Sequence, residues 1–331
     1  MGKKGTKNDA VRSPAAPLDG RVRTKYSLTW GRARDLIRRG KVTVDGVTAT
    51  DPLTRVREGA EIVLDLGARN PRTVEAALSR DAIVHLDAHV VVVEKPSGVA
   101  TMPYDPAGMS ASIARRAMKP GEETTLDERV RIAVAKREKT KGPPAALGVV
   151  HRLDKETSGL LVFTRTWQAK KELMQAFRFH HVHRRYVALV HGIAKPQTIE
   201  THFVEDRGDG LRGSVEHRRG RKHAVGNERT QRAVTHVEVL ETFPRAGASL
   251  VACVLETGRT HQIRIHLAEE GHPVLGERVY IRDYEGPEIP APRVMLHAAE
   301  LGFVHPATGR EMKWTSELPK DFEELLASIR V

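Results

Sequence analysis

Apolar residues along this chain fall mostly in short unbroken runs. Val90-Val91-Val92-Val93, Leu160-Leu161-Val162-Phe163, Tyr186 to Val190, Val234 to Leu240 and Leu250 to Leu255 are each the length of a strand and rich in β-branched residues. Between them the period changes. From Gln168 to Phe177 the residues Ala169, Leu173, Ala176 and Phe177 share one helical face. Many strands with scattered helices predict an α+β domain with a mixed or antiparallel sheet over residues 81–331.

A second, smaller pattern occupies residues 21–66. Ala33, Leu36 and Ile37 take helical spacing between Trp30 and Gly40, and Gly40 stands where a helix C-terminus favours a left-handed residue. Lys41-Val42-Thr43-Val44 then alternates into Asp45-Gly46, a hairpin-turn dipeptide, and Ala60 to Leu64 supplies a further strand. Val22 to Thr29 shows no clear amphipathic first helix. Residues 1–20 lack apolar periodicity and read as a flexible basic tail, and residues 67–80 read as a linker.

Composition sharpens this picture in one respect. The 331 residues carry a formal net charge of +12, which suits a polyanionic partner because each phosphate contact releases a condensed counterion. The surplus concentrates early: Arg21 to Asp45 holds eight basic residues against Asp35 and Asp45. Arg32, Arg34, Arg38 and Arg39 lie off the apolar stripe, with Lys41 just beyond it, and acidic partners at i, i+4 are mostly missing. A solvated helix face is the ordinary fate of such a run; contact with RNA phosphates is the better expectation here. Cys253 is the single cysteine, which excludes an internal disulfide and a cysteine-based zinc site. The N-terminus has no signal-peptide core, and no apolar run approaches the roughly 20 residues that span a bilayer. A soluble, cytoplasmic, monomeric protein with no membrane contact is expected.

Two segments carry candidate chemistry. His151-Arg152-Leu153-Asp154-Lys155-Glu156-Thr157-Ser158 runs straight into the apolar strand at Leu160, so Asp154 should stand on a loop held by the sheet and open to a cleft. Taken alone, an Asp beside Thr and Ser is more often a capping residue. The second segment is Glu256-Thr257-Gly258-Arg259-Thr260-His261-Gln262-Ile263-Arg264-Ile265-His266, followed by Gly271-His272-Pro273-Val274-Leu275-Gly276; its bland reading is a turn at Gly258 and a solvated basic loop. In this order and spacing the two resemble the signature blocks of the RluA-type pseudouridine synthases. Val93-Glu94-Lys95-Pro96-Ser97-Gly98, Arg185-Tyr186-Val187-Ala188-Leu189, and Met295-Leu296-His297-Ala298 with Leu301 to Pro306 resemble three further blocks, so the likeness covers about residues 82 to 326. Residues 21–66 resemble the small RNA-binding fold of the ribosomal protein S-four type.

The resemblance implies an enzyme that isomerises uridine in structured RNA, and by family analogy ribosomal RNA of the large subunit. It implies Asp154 as nucleophile, Tyr186 as the tyrosine that stacks on the base or takes its proton, and Arg264 as partner of the aspartate. Arg152 would fill the gap left by an extruded nucleotide, and Leu296 would wall the uracil pocket. Two departures stand out. Glu277 follows Gly276 where the family usually has Asp, which reads as outside the chemical centre, and Asp206 to Arg232 is unusually long and basic, which reads as a phosphate-contacting arm or else as a tolerated surface loop. Moving a glycosidic bond from nitrogen 1 to carbon 5 conserves atoms, so no metal, redox cofactor or nucleotide is expected, and no Gly-x-x-x-x-Gly-Lys loop is present.

Rival readings fare worse. A glycosidase needs a second carboxylate, and Glu156 would point away from Asp154 in an extended chain. A Ser158-His151-Asp154 hydrolase lacks the Gly-x-Ser-x-Gly elbow. His180, His181 and His183 invite a metal site, but beside Arg184 and Arg185 they read as basic RNA-facing surface or simply as a solvated helix end. A ribosome-assembly factor that only binds RNA would need none of Asp154, Tyr186 and Arg264.

Overall fold

The computed structural model describes residues 16–68, 78–103, 124–141, 144–208, 210–217 and 230–330. Most of the expected tail and of the expected linker lie outside them. The chain divides into two compact units, one made around residues 16–68 and the other from residue 78 onward.

In the first unit β1 (Ala16–Pro17) leads into α1 (Leu18–Lys25), α2 (Trp30–Arg38), β2 (Val42–Val44), β3 (Val47–Ala49), β4 (Arg55–Val56) and β5 (Ile62–Leu64). Strands β3, β2 and β5 form an antiparallel sheet in that order, with Asp45 and Gly46 as the two-residue turn. Thr29 caps α2, its hydroxyl accepting from the Arg32 amide. Leu18 and Val22 from α1 pack with Ala33, Ile37, Val42, Val56 and Ile62 in a closed core. The structure thus corrects the sequence reading at two points. A first helix exists, and it begins at Leu18, inside the stretch read as tail. Its buried face is only Leu18, Asp19 and Val22, too small for periodicity to reveal.

The second unit contains β6 (Ile83–Leu86), β7 (Val90–Lys95), α3 (Leu126–Arg137), β8 (Gly148–Val149), β9 (Ser158–Thr164), α4 (Trp167–Arg178), β10 (His183–His191), β11 (Gln197–Val204), β12 (Gly213–Ser214), β13 (Gln231–Phe243), β14 (Ala248–Leu255), α5 (Gln262–Glu269), β15 (Leu296–Val304), β16 (Glu311–Thr315) and α6 (Lys320–Arg330). One sheet collects all these strands in the order β12-β11-β13-β14-β10-β15-β9-β7-β6, with β16 added beside β15 and β8 beside β9. Its pairings are antiparallel except β9 with β15, so the sheet is mixed, as the strand-rich pattern predicts.

Unbroken apolar runs follow from burial on both faces. Val91, Val93, Leu161 and Phe163 join the large core with α3 and α6, while Val90, Val92, Leu160 and Val162 pack against Ala169 and Leu173 of α4. Ile263, Ile265 and Leu267, which alternate like a strand, instead belong to α5, whose residues from Gln262 to Leu267 are all buried. No described helix is long and apolar enough to cross a membrane.

The parallel join is tight. His297 lies opposite Ser158 and Ala298 opposite Gly159, and a Cβ on Gly159, whose φ is 111°, would come 2.3 Å from the Ala298 carbonyl oxygen. That oxygen is backbone and has nowhere to go. Gly159→Ala should therefore cost about 3 kcal/mol of stability. Urea unfolding will read it as a lower midpoint at unchanged slope.

Candidate active site

Asp154 stands on the loop entering β9, and the loop is braced from below by the segment that follows β7. Lys95, buried, donates from Nζ to the carbonyls of Pro96 (3.0 Å), Lys155 (2.9 Å) and Thr157 (2.6 Å). Three carbonyls match the three donors of an ammonium. Burial pulls the Lys95 pKa down to about 7, although the charge of Asp154 works the other way. The Ser97 hydroxyl donates to the Glu156 carbonyl at 2.7 Å, and Thr101 brackets Leu153 by donating to its carbonyl and accepting from its amide. Asp154 is thereby fixed from both sides in sequence, its side chain 16% exposed.

Opposite this loop, β14 ends and α5 begins. Arg264 on α5 brings Nη1 to 3.6 Å from Asp154 Oδ2. Its closest partner is Glu277, to which Nε donates at 2.6 Å and Nη2 at 2.8 Å in a two-pronged pair. Glu277 Oε1 also accepts from the amides of Arg278, Val279 and Tyr280. Burial pushes the Glu277 carboxyl up, but the Arg264 hydrogen bonds and charge, with those amides, outweigh it and the net shift is downward. The Arg264 guanidinium is held charged against burial by Glu277 and Asp154. Glu277 thus belongs to the site, not outside it as its departure from the family pattern suggests. Its place is set by Gly276, whose φ is 80° and where a Cβ would fall 1.9 Å from the Arg293 carbonyl oxygen.

His261, just before α5, takes a left-handed backbone at φ 59° and ψ 19°, a conformation costing a non-glycine residue about 1–2 kcal/mol. Its Nε2 lies 3.8 Å from Asp154 Oδ1, and its Nδ1 lies 2.7 Å from the Tyr280 hydroxyl. The Tyr280 ring in turn lies beneath the Arg264 guanidinium, 5.5 Å away. Gln262 holds the whole turn: its Oε1 accepts from the Thr257 hydroxyl and the Arg259 amide, and its Nε2 donates to the Val234 carbonyl and the Thr235 hydroxyl. Gly258 follows the bend at Glu256 and Thr257, and a Cβ there would sit 2.6 Å from Arg184 Nη1.

The structure brings together five of the sequence-derived residues. Arg152, Asp154, Tyr186, Arg264 and Leu296 line one cleft, with Leu153, Thr157, Leu255, Arg259, His261, Gln262 and Ile263, around roughly 360 Å³ of empty volume that includes its open mouth. Tyr186 on β10 faces Ala298 of β15, and Leu296 faces Ala188, so the tyrosine and leucine lie near each other on adjacent strands. Burial raises the Tyr186 pKa, Arg184 lowers it, and Asp154 raises it again; the net shift is upward, and the group stays a phenol.

The cationic helix face is less free than its charge count implies. Asp35 pairs with both Arg32 (3.2 Å) and Arg39 (3.0 Å), Asp19 of α1 takes Arg34 (2.7 Å), and Lys41 donates to the Ala68 carbonyl. Arg38 is exposed with no ion-pair partner among the described residues. In Asp206 to Arg232, residues 209 and 218–229 lie outside the description, and the rest is internally paired: Arg207 with Glu269 and Asp283, Arg212 with Glu205, Arg232 with Glu200. The described part is a folded edge of the sheet; Arg218, Arg219, Arg221, Lys222 and Arg229, on which the expectation of a phosphate-contacting arm mostly rests, lie outside the described residues. Near α4, His180, His181 and His183 are all exposed; His183 meets Glu300 and Arg185 meets Glu238, while Arg184 is buried and donates to the Leu255 and Glu256 carbonyls. The hydrolase triad dissolves as well: His151 stacks on Phe177 and accepts from the Val162 amide, while Ser158 bonds His297.

The chain is similar to known proteins. A family model described as RNA pseudouridylate synthase matches residues 89–269, and one described as S4 domain matches residues 18–62. The protein called ribosomal large subunit pseudouridine synthase D in Zymomonas mobilis is 33% identical over 310 residues, spanning 92% of this chain and 90% of its own length. Its namesake in Pseudomonas aeruginosa is 33% identical over 304 residues, spanning 89% and 85%. The solved structure of human RNA pseudouridylate synthase domain containing 4 shares the fold, with a TM-score of 0.55 at 24% identity over 76% of this chain and 93% of that one. The Asp154 cleft on this mixed sheet, in a chain that opens in sequence with a small S4-type unit, therefore has a family: the chain belongs to the RluA-type RNA pseudouridylate synthases, isomerases that act on RNA.

Proposed function

We propose that this chain converts uridine to pseudouridine in large-subunit ribosomal RNA, with Asp154 as the nucleophile. The observation that carries the chemistry is the Asp154 carboxylate standing between Arg264 Nη1 and His261 Nε2, at 3.6 and 3.8 Å, in a cleft walled by Tyr186 and Leu296. The names borne by the Zymomonas and Pseudomonas relatives support ribosomal RNA as the substrate class. A monomer acting in the cytoplasm completes the reading.

The reaction breaks the bond from ribose to nitrogen 1, turns the uracil and rejoins it through carbon 5. Carbon 5 gives up a proton and nitrogen 1 gains one, so the atoms balance without a co-reactant. Asp154 supplies the attack on ribose or base that frees the ring to turn. Leu296 offers the ring an apolar wall. Tyr186 stacks on it and stays protonated, because burial and the nearby Asp154 both disfavour a phenolate against the opposing pull of Arg184; this favours packing over proton removal as its role.

The uridine must leave its stack to reach Asp154, at a cost of a few kcal/mol. Arg152, exposed at the cleft, takes the vacated space. In the N-terminal unit Arg38, with Arg32, Arg34, Arg39 and Lys41, meets backbone phosphates. Exposed ion pairs such as Arg32–Asp35 hold their arginines by only about 0.2–1 kcal/mol, so a phosphate competes for them readily.

Three outcomes test this. Asp154→Asn should abolish pseudouridine formation on ribosomal RNA while leaving RNA affinity within a few-fold; normal-rate modification by the variant removes the nucleophile assignment. Glu277→Gln should leave Arg264 short of charge compensation, lowering stability by about 3 kcal/mol in urea and slowing single turnover by about 100-fold. Arg38→Gln should weaken RNA binding and make the salt dependence of log K shallower by about 0.7 to 0.9; an unchanged slope places that helix face away from phosphate.

A further inference from the structure

We propose that His261 is a positioning residue for Asp154, presenting an Nε2–H donor to the carboxylate oxygen that Arg264 does not reach. The proposal rests on the reading of Asp154 as nucleophile. It concerns a histidine that the sequence shows only as one of several basic residues after a turn.

The geometry divides the carboxylate between two neighbours. Oδ2 faces Arg264 Nη1 at 3.6 Å, and Oδ1 faces His261 Nε2 at 3.8 Å. Both distances exceed a formed hydrogen bond, so the carboxylate is flanked by donors without being locked to either. Small shifts toward one or the other select which oxygen is free to attack. A second guanidinium in place of the imidazole would do this at the expense of nucleophilicity; a neutral N–H steers with less quenching. Burial lowers the His261 pKa, Asp154 raises it, and Arg264 lowers it again, with a net downward shift that keeps the ring neutral.

A neutral ring carries one proton, and Tyr280 decides where. Tyr280 is buried, its pKa is raised by that burial, and its hydroxyl lies 2.7 Å from His261 Nδ1. If Nδ1 carried the proton, the Nε2 lone pair would face the acceptor-only carboxylate of Asp154. With the Tyr280 hydroxyl donating to Nδ1, the proton sits on Nε2 and points at Asp154. Tyr280 is itself anchored: its amide donates to Glu277 and its ring underlies Arg264. One turn therefore orients both flanking donors.

The test compares substitutions that keep different parts of the imidazole. Gln at 261 can reach with an amide N–H to the place of Nε2; Asn reaches only to the place of Nδ1, but tolerates the left-handed backbone better. Single-turnover rates and RNA dissociation constants are measured on a ribosomal RNA substrate for wild type, His261→Asn, His261→Gln and Tyr280→Phe. We expect His261→Asn to slow turnover by about 10- to 100-fold with RNA affinity within twofold, and His261→Gln to recover most of that loss. Tyr280→Phe should slow turnover less than His261→Asn and add nothing further on top of it. The proposal is overturned if His261→Asn turns over like wild type, if Gln is no faster than Asn, or if the loss lies wholly in RNA affinity. Asp154→Asn in the same assay separates the two claims: an active D154N removes the nucleophile reading, whereas an inactive D154N with a wild-type H261N removes only this one.

Discussion

Arg264 carries its charge into the interior, where the Glu277 carboxylate compensates it. The two-pronged pair is buried, and three backbone amides complete the carboxylate. Because those amides come from Arg278, Val279 and Tyr280, the same bonds fix the loop after Gly276 and the ring that underlies the guanidinium. What is left over for Asp154 is one Nη1 at 3.6 Å. The positive charge beside Asp154 is thus borrowed from a pair that is already satisfied, and its strength is set by Glu277 and the amides that hold it.

The strands and the cleft-facing motif residues could be read from the sequence, and the reasons are physical. A sheet covered on both faces needs apolar residues at every position, so runs such as Val90 to Val93 have no other reading at that length. Buried helices erase their own signal. From Gln262 to Leu267 every side chain of α5 is enclosed, and a helix with no solvent face has no 3.6-residue period to detect. The opposite defect hid α1, whose buried face is too small to make a pattern. Glu277 was out of reach for a third reason: it meets Arg264 across thirteen residues and a chain reversal at Gly276, a distance no local spacing encodes. His261 was in plain view within its motif, but nothing in a list of residues shows that one histidine turns its ring toward Asp154 while its neighbour His266 bonds Thr201 and Thr235 in the interior.

Charge counting misled in a related way. Eight basic residues against two acidic ones from Arg21 to Asp45 imply a bare cationic face, yet Asp35 serves two arginines at once and Asp19 reaches across from the other helix. A carboxylate has room for several donors, so numbers of charges overstate how many stand alone. Of the pairs that result, Arg32–Asp35 is exposed and therefore weak, whereas Arg34 meets a buried carboxylate in Asp19.

The parallel seam between β9 and β15 has a consequence for how this enzyme comes into being. It joins Ser158 to His297, so the strand that the Asp154 loop enters is flanked on one side by a segment synthesised some 140 residues later. Contacts at such separation close slowly and only after most of the polypeptide exists. A nascent chain emerging from the ribosome can finish its small N-terminal unit early, while its cleft still lacks the Leu296 wall. The ability to hold RNA and the ability to change it therefore arise at different moments of the protein's own synthesis.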